Sequence, residues 1–336
     1  MGTMRELGEW GLIAAVKARF GAMPEGWVGI GDDTAVGQVT PGRRVLTTVD
    51  LLVEDVHFRR ASDPRDVGWK ALAVNLSDIA AMGGQPLWAV LGLALPADLP
   101  RAWIEGFYDG LAELASKTGT RIVGGDTVRS PGGMMISITV VGEVEQPLLR
   151  TGMRPGDWLF ATSPAGRSAA GLWVQENTGR VEASSLDRVY VKAAREAHMR
   201  PVPQLEAAKA IQRSGLRVAL LDDSDGLGRS ALLLAEANGL DVRLEVLRLP
   251  LDAATRAVAG LAGVDPVQWA LYGGEDYHLV GAVAPEDWKR LETALESTGL
   301  PLLRIGEALP GTGRVWVRDP DQQTHELAGE VGFQHF

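Results

Sequence analysis

The stretch "LLDDSDGLGRS" (220–230) poses the question on which the fold turns. The apolar run Val218 to Leu221 enters directly into Asp222, Asp223 and Asp225, and a helix opens at Gly226. That order reads as a strand, an acidic turn and a helix. Carboxylates this close repel one another and lose hydration when buried, so positive charge is expected nearby. The stretch holds no lysine, and Arg229 is its only cation.

Working outward, Leu12, Val16 and Phe20 recur at four-residue intervals beside Ile13, which predicts an amphipathic helix. "RRVLTTVD" predicts a strand ending at Asp50, and Val67, Ala71 and Val74 predict a helix over 66–82, stopped by Gly83-Gly84. A buried strand "PLWAVLGLAL", a helix from Arg101 to Thr118, a strand "RIVGGD" running into a glycine turn, and a strand "MMISITVVGEV" complete this half. Near "EQPLLRTGMRPGDW" the texture changes to turn chemistry, which places a domain boundary at about 148 and gives domains 1–148 and 149–336. The second half is expected to carry a strand from Trp158, helices over 169–176, 188–198, 204–213 and 227–237, and further alternating elements. Strands flank helices without strict alternation, so an α+β (α/β two-domain) fold is expected rather than a doubly wound parallel sheet.

Composition narrows the function classes. A chain of 336 residues with 46% hydrophobic content can bury a core in each of two domains. A net charge of −10 argues against nucleic acid or an anionic membrane as partner. The absence of cysteine excludes disulfides, thiolate nucleophiles and iron–sulfur clusters, and suits the cytoplasm. The longest apolar run, 87–95, is too short to cross a bilayer, and no basic segment precedes an apolar core at the start, so a soluble, unexported protein is expected.

Acidic residues recur where apolar segments end: Asp32 and Asp33 in "GIGDDTAV", Asp50 in "TTVD", Asp78 in "NLSD", Asp126 in "VGGDT", Glu275 and Asp276 in "YGGEDY". Aspartate beside glycine is a common turn or cap residue, and Asp98 and Asp109 are read that way. Asp78 is different, because it continues the stripe of Val67, Ala71 and Val74, where an unpaired charge is expensive. If the clusters converge, an oxygen-rich site with no cysteine suits magnesium. Magnesium held by several carboxylates usually accompanies phosphoryl transfer. The chain has no G-x-x-x-x-G-K-[ST] loop, H-R-D loop or G-x-G-x-x-G fingerprint, so phosphates are held in another way.

In order, "GIGDDTAV", "TTVDLLVEDVHF", "KALAVNLSDIAAMGG", "GGDT", "RTGMRPGDW", "SDGL" and "GGEDY" resemble the successive motifs of the thiamine-monophosphate kinase family, within the aminoimidazole-ribonucleotide-synthetase-like superfamily. The resemblance implies direct, in-line transfer of the ATP γ-phosphoryl group to thiamine monophosphate, assisted by several Mg2+ ions. It implies a homodimer formed through an N-terminal metal- and ATP-binding sheet domain, a C-terminal α/β domain, and a site between them. Asp33, Thr48, Asp50, Asp78, Asp126, Asp222 and Asp225 match magnesium-binding positions. Tyr108, Gly125, Asp126, Arg150 and Ser224 match ATP contacts, and His57, Glu275 and Phe333 match contacts to the thiamine substrate. The resemblance implies that Arg150, Asp126 and Asp222 are the catalytic residues, with Arg150 stabilising charge on the transferred group. Three positions depart from the pattern: Val49 lacks the usual hydroxyl, Asp223 replaces an apolar residue and His278 replaces an acid. Asp223 and His278 are left outside the expected site. Another ATP-dependent enzyme of the superfamily, such as an aminoimidazole ribonucleotide synthetase, and a catalytically silent nucleotide- or metal-binding homologue are the alternatives. Superfamily members that need a reactive cysteine are disfavoured by its absence.

Overall fold

The computed structural model describes residues 3–20, 23–30, 34–327 and 332. The chain divides into two compact units, 1–79 with 84–146 and 80–83 with 147–336.

The first unit holds α1 (Met4–Phe20), β1 (Arg44–Val53), α2 (Pro64–Ala81), β2 (Gln85–Pro96), α3 (Arg101–Thr118), β3 (Arg121–Ser130) and β4 (Met135–Val144). Its sheet has the order β1-β4-β2-β3, antiparallel except between β2 and β3. A parallel pair needs a crossover, and α3 supplies it. Along β1 the side chains alternate: Val45, Val49 and Leu51 stand open to solvent, whereas Thr48, Asp50 and Leu52 turn the other way and are partly or fully buried. Thr48 and Asp50 bond to α2, whose Val67, Leu72, Leu76 and Ile79 are at most 1% exposed. Every residue from 67 to 77 is buried, as in a core helix, so the carboxylate of Asp78 directly after them is unusual.

Two expectations need correction. β1 does not end at Asp50 but continues to Val53. Nor does Gly124-Gly125 form a turn, because β3 runs unbroken to Ser130. Gly125 serves close packing: a Cβ on it would lie 2.2 Å from the carbonyl oxygen of Leu91 on the neighbouring strand. Asp126 therefore sits within a strand.

The second unit holds β5 (Trp158–Ala161), α4 (Arg167–Glu176), α5 (Thr178–Glu182), α6 (Arg188–Met199), α7 (Leu205–Arg213), β6 (Val218–Asp222), α8 (Leu227–Asn238) and β7 (Asp241–Glu245). α9 (Ala253–Ala262), α10 (Pro266–Tyr272), β8 (Leu279–Val283), α11 (Trp288–Leu295), β9 (Leu303–Leu309), β10 (Val315–Arg318) and β11 (Thr324–Glu326) follow. The mixed sheet runs β11-β10-β7-β9-β5-β8-β6, and its β7–β10 pair is parallel. Every residue of β6 and β8 is buried. Ala219 and Leu221 face a core with Leu227, Ala231 and Leu234 of α8, while Val218 and Leu220 face another with Ile211 of α7 and Leu291 of α11. A strand covered on both faces must be apolar throughout. That is why "VALL" runs without a break into the acidic turn.

Candidate active site

Expected site residues gather in each unit. In the first, β1 and α2 bring three expected magnesium ligands together. The Thr48 hydroxyl donates to Asp78 Oδ2, and the Asp50 backbone N–H donates to Asn75 Oδ1 at 3.1 Å. Asn75 is fully buried and donates its own amide to Ala71 O, so its side chain fixes the Asp50 backbone to α2. The sequence reading passed over Asn75, although it stands in the same "NLSD" motif.

His57 closes a tight turn in which Asp55 takes φ 67. Its Nδ1 accepts the Val53 N–H at 3.0 Å, so the neutral ring carries its proton on Nε2. The fully buried Lys70 donates to the His57 carbonyl at 3.2 Å and ties the loop to α2.

A second group forms at the other edge of the same sheet. Asp50, Ile138, Leu91 and Gly125 occupy one row across the four strands. At a strand spacing of about 4.8 Å the two ends of that row are about 14 Å apart. Within one chain, Asp126 is thus grouped with Gly125 and Tyr108 rather than with Asp50 and Asp78. These three line a cavity of about 570 Å³ whose apolar wall includes Leu12, Val16 and Ile30. The size suits a small-molecule ligand. Tyr108 is 7% exposed, packs edge-on to Phe107 and Phe20, and has its phenol pushed far above the usual range by burial. Asp33 and Phe333 lie outside the described residues, as does Asp32.

In the second unit the opening stretch finds its answer. Asp222 ends β6 opposite Leu279 of β8, and the pairing continues past both strands. Asp223 N donates to His278 O, Tyr277 N to Asp223 O, and Glu275 N to Ser224 O, at 2.8, 2.8 and 2.7 Å. The two acidic motifs are therefore zipped backbone to backbone, which sets Asp222, Ser224, Asp225 and Glu275 on one short ledge. The close approach requires glycine: a Cβ on Gly274 would lie 2.4 Å from Ser224 O. Glu275 and Tyr277 hold φ of 67 and 50, a costly conformation for non-glycine residues that the zip over-determines. Glu275 also reaches the buried His198 at 3.3 Å, and His198 meets Ser168 Oγ at 2.9 Å.

Arg150 is exposed, and its backbone is what the structure fixes. Asn238 Nδ2 donates to Arg150 O, while Asn238 Oδ1 accepts from Gly152 N and Met153 N. Nothing in the sequence singled out Asn238, since a polar residue before a helix-ending glycine reads as a cap.

Asp223 and His278, set aside as departures from the family pattern, face each other behind the ledge, 0% and 1% exposed. Asp276 joins them and accepts the backbone N–H groups of Gly166 and Ser168. Desolvation pushes Asp223 well above the usual carboxylate range and Asp276 up to about 7, and it pulls His278 down to about 3.

Residues 31–144 match the family described as AIR synthase related protein, N-terminal domain, and residues 154–318 match its C-terminal domain. Thiamine-monophosphate kinase of Bacillus subtilis (strain 168) is 36% identical over 314 residues, covering 92% of this chain and 93% of its own. The chain belongs to the thiamine-monophosphate kinase family. Solved thiamine-monophosphate kinase structures share its fold. That from Stenotrophomonas maltophilia K279a superposes with a TM-score of 0.81 at 33% identity, covering 92% of this chain and 96% of its own. AaThiL, complexed with AMPPCP and TMP, gives 0.77 at 33% identity, covering 100% and 99%. The α+β architecture with N- and C-terminal domains is that of the thiamine-monophosphate kinase family. Among the described residues no helix is long and apolar enough to cross a membrane.

Proposed function

We propose that this chain transfers the γ-phosphoryl group of ATP to thiamine monophosphate, giving thiamine diphosphate. The observation that carries the reading is the likeness, over the whole chain, to a relative held with AMPPCP and TMP.

The donor set fits magnesium. Asp33, Thr48, Asp50, Asp78, Asp126, Asp222 and Asp225 offer oxygen alone, which a hard dication prefers. The Thr48 proton is committed to Asp78, so its oxygen keeps its lone pairs for a ligand. When bound, the ions would offset phosphate charge and help to align the reacting groups. The need is quantitative: two unit anions about 4 Å apart repel by roughly 4 kcal/mol at an effective dielectric near 20.

The chain's own residues divide the remaining work. A phosphate monoester has a second pKa of about 6, so the attacking oxygen is mostly ionised at pH 7 and no general base is needed. His57 accepts the Val53 N–H through Nδ1, which suits it to donate to a substrate rather than to accept a proton. Asp126 and Asp222 serve as ligands near the transferred group, and Arg150 presents a guanidinium fork to its oxygens. Tyr108, Gly125 and Asp126 line a cavity that suits the nucleotide, and Ser224, on the ledge of the second unit, is a further nucleotide residue by its motif. Glu275 and Phe333 suit the positively charged thiamine ring, one by charge and one by its π face.

The first unit, 1–148 in the sequence reading, takes the metal, nucleotide and dimerisation roles, and 149–336 forms the α/β partner domain. The open face of the first sheet supports a homodimer: Val45, Val49, Leu51 and Val128 are each at least half exposed, and a patch of this kind marks an interaction surface. The cysteine-free composition suits work in the cytoplasm.

Purified protein given ATP, Mg2+ and thiamine monophosphate should yield thiamine diphosphate and ADP in equal amounts. ATP binding without product would favour a silent homologue instead. Formation of aminoimidazole ribonucleotide from its own precursor would favour a synthetase.

A further inference from the structure

We propose that Asp223, Asp276 and His278 form a second, internal cation site behind the acidic ledge, built for one borderline transition-metal dication such as Zn2+ or Co2+ rather than for magnesium. One ligand atom from each of the three residues lies within 4.8 Å of the other two. His278 has neither ring nitrogen hydrogen-bonded, and Asp223 Oδ2 is equally unsatisfied, although both side chains are at least 99% buried. Orphaned polar atoms at such depth are rare and call for a missing partner.

The spacing says which kind of partner. His278 Nε2 and Asp223 Oδ2 are 3.7 Å apart, too far for a hydrogen bond. Two ligands on a tetrahedral ion with bonds of about 2.1 Å stand about 3.4 Å apart, so a small closure seats the ion. The outer contacts already fit a metal site. Ser230 Oγ donates to Asp223 Oδ1 at 2.7 Å, and the N–H groups of Gly166 and Ser168 hold Asp276. Such contacts orient ligands and leave the remaining lone pairs aimed inward.

Charge and donor type point the same way. A buried and a half-buried carboxylate with a buried imidazole lack a compensating cation in contact, and Arg167, whose field reaches Asp276 and His278, is paired with Asp252 at 2.9 Å. A dication supplies the two missing charges. An imidazole among the ligands selects zinc, cobalt or nickel over magnesium. The ion would bind between Asp223 on one zipped strand end and Asp276 and His278 on the other, and so lock the ledge that carries Asp222, Asp225 and Glu275. Asp223 and His278 both depart from the family pattern, and they depart together at positions that face each other.

The test uses the full-length protein, stripped with chelator and then held in millimolar Mg2+ to occupy the oxygen ligands. Titration with Zn2+ should show one tightly bound equivalent with a rise in Tm, and His278→Gln should bind at least 100-fold more weakly. Anomalous diffraction at the zinc edge of the wild-type protein should place the ion between the three residues, a readout that needs no variant to fold. No stoichiometric zinc uptake, an ion elsewhere, or unchanged affinity in His278→Gln would overturn the site. Turnover in Mg2+ alone is measured beside it, so failure of the zinc site and failure of the kinase reading are told apart.

Discussion

The two acidic regions reach similar surfaces by opposite means. On β1 and α2, Thr48, Asp50 and Asp78 are placed by side chains: a hydroxyl bonds a carboxylate, and a buried amide pins a backbone N–H. At 222–225 and 275–278 the backbones themselves are zipped, and a glycine lets them touch. A site made by side chains can lose its chemistry without losing its fold, whereas a site made by backbone loses both together.

Asp78→Asn should give the largest loss of activity, about 1000-fold in kcat, with Tm nearly unchanged, since the amide oxygen can still accept from Thr48. Wild-type turnover in that variant would remove Asp78 from the metal set. Gly274→Ala should cost about 100-fold in kcat through misplacement of the ledge, and about 1–3 kcal/mol of stability through its clash with Ser224 O. If chemical denaturation finds that variant as stable as its parent, the contrast between the regions fails. Thr48→Val keeps volume and removes the hydroxyl, so the Mg2+ concentration for half-maximal rate should rise about tenfold while the protein melts as before; an unchanged magnesium dependence would make Thr48 a packing residue. Asn238→Ala should cost about 1 kcal/mol, read as roughly a fivefold fall in kcat for a loosened Arg150 segment. The same fall in a variant that also lacks Arg150 would show that Asn238 acts on something else.

The contrast also explains what the sequence disclosed. Elements with strong periodicity were legible: the helix over Arg101–Thr118 and its stop at Gly119 stand where the pattern puts them. The acid motifs were legible as a set because each ends an apolar segment. Gly124-Gly125 was misread because a glycine pair signals a turn locally, and only the neighbouring strand reveals that the need is for bare backbone beside Leu91. Asp223 and His278 each looked like a lone departure, since 55 positions of chain separate two side chains that the zip sets face to face. Asn75 and Asn238 escaped notice because amides that hold backbone leave no charge pattern to read. Asp33 and Phe333, read from motifs, lie outside the described residues, so their part in the site rests on the motifs alone.

The exposed row on β1 has a consequence for how such a chain is made. Val45, Val49 and Leu51 decorate an edge strand whose outer side has no neighbouring strand among the described residues, although Asn75 and His57 take its Asp50 and Val53 N–H groups. An apolar edge with no second strand beside it invites pairing with an extended peptide nearby. If the proposed homodimer covers this row, a newly synthesised copy is at its stickiest while still alone, and dilution, which ordinarily protects against clumping, should then prolong the vulnerable interval.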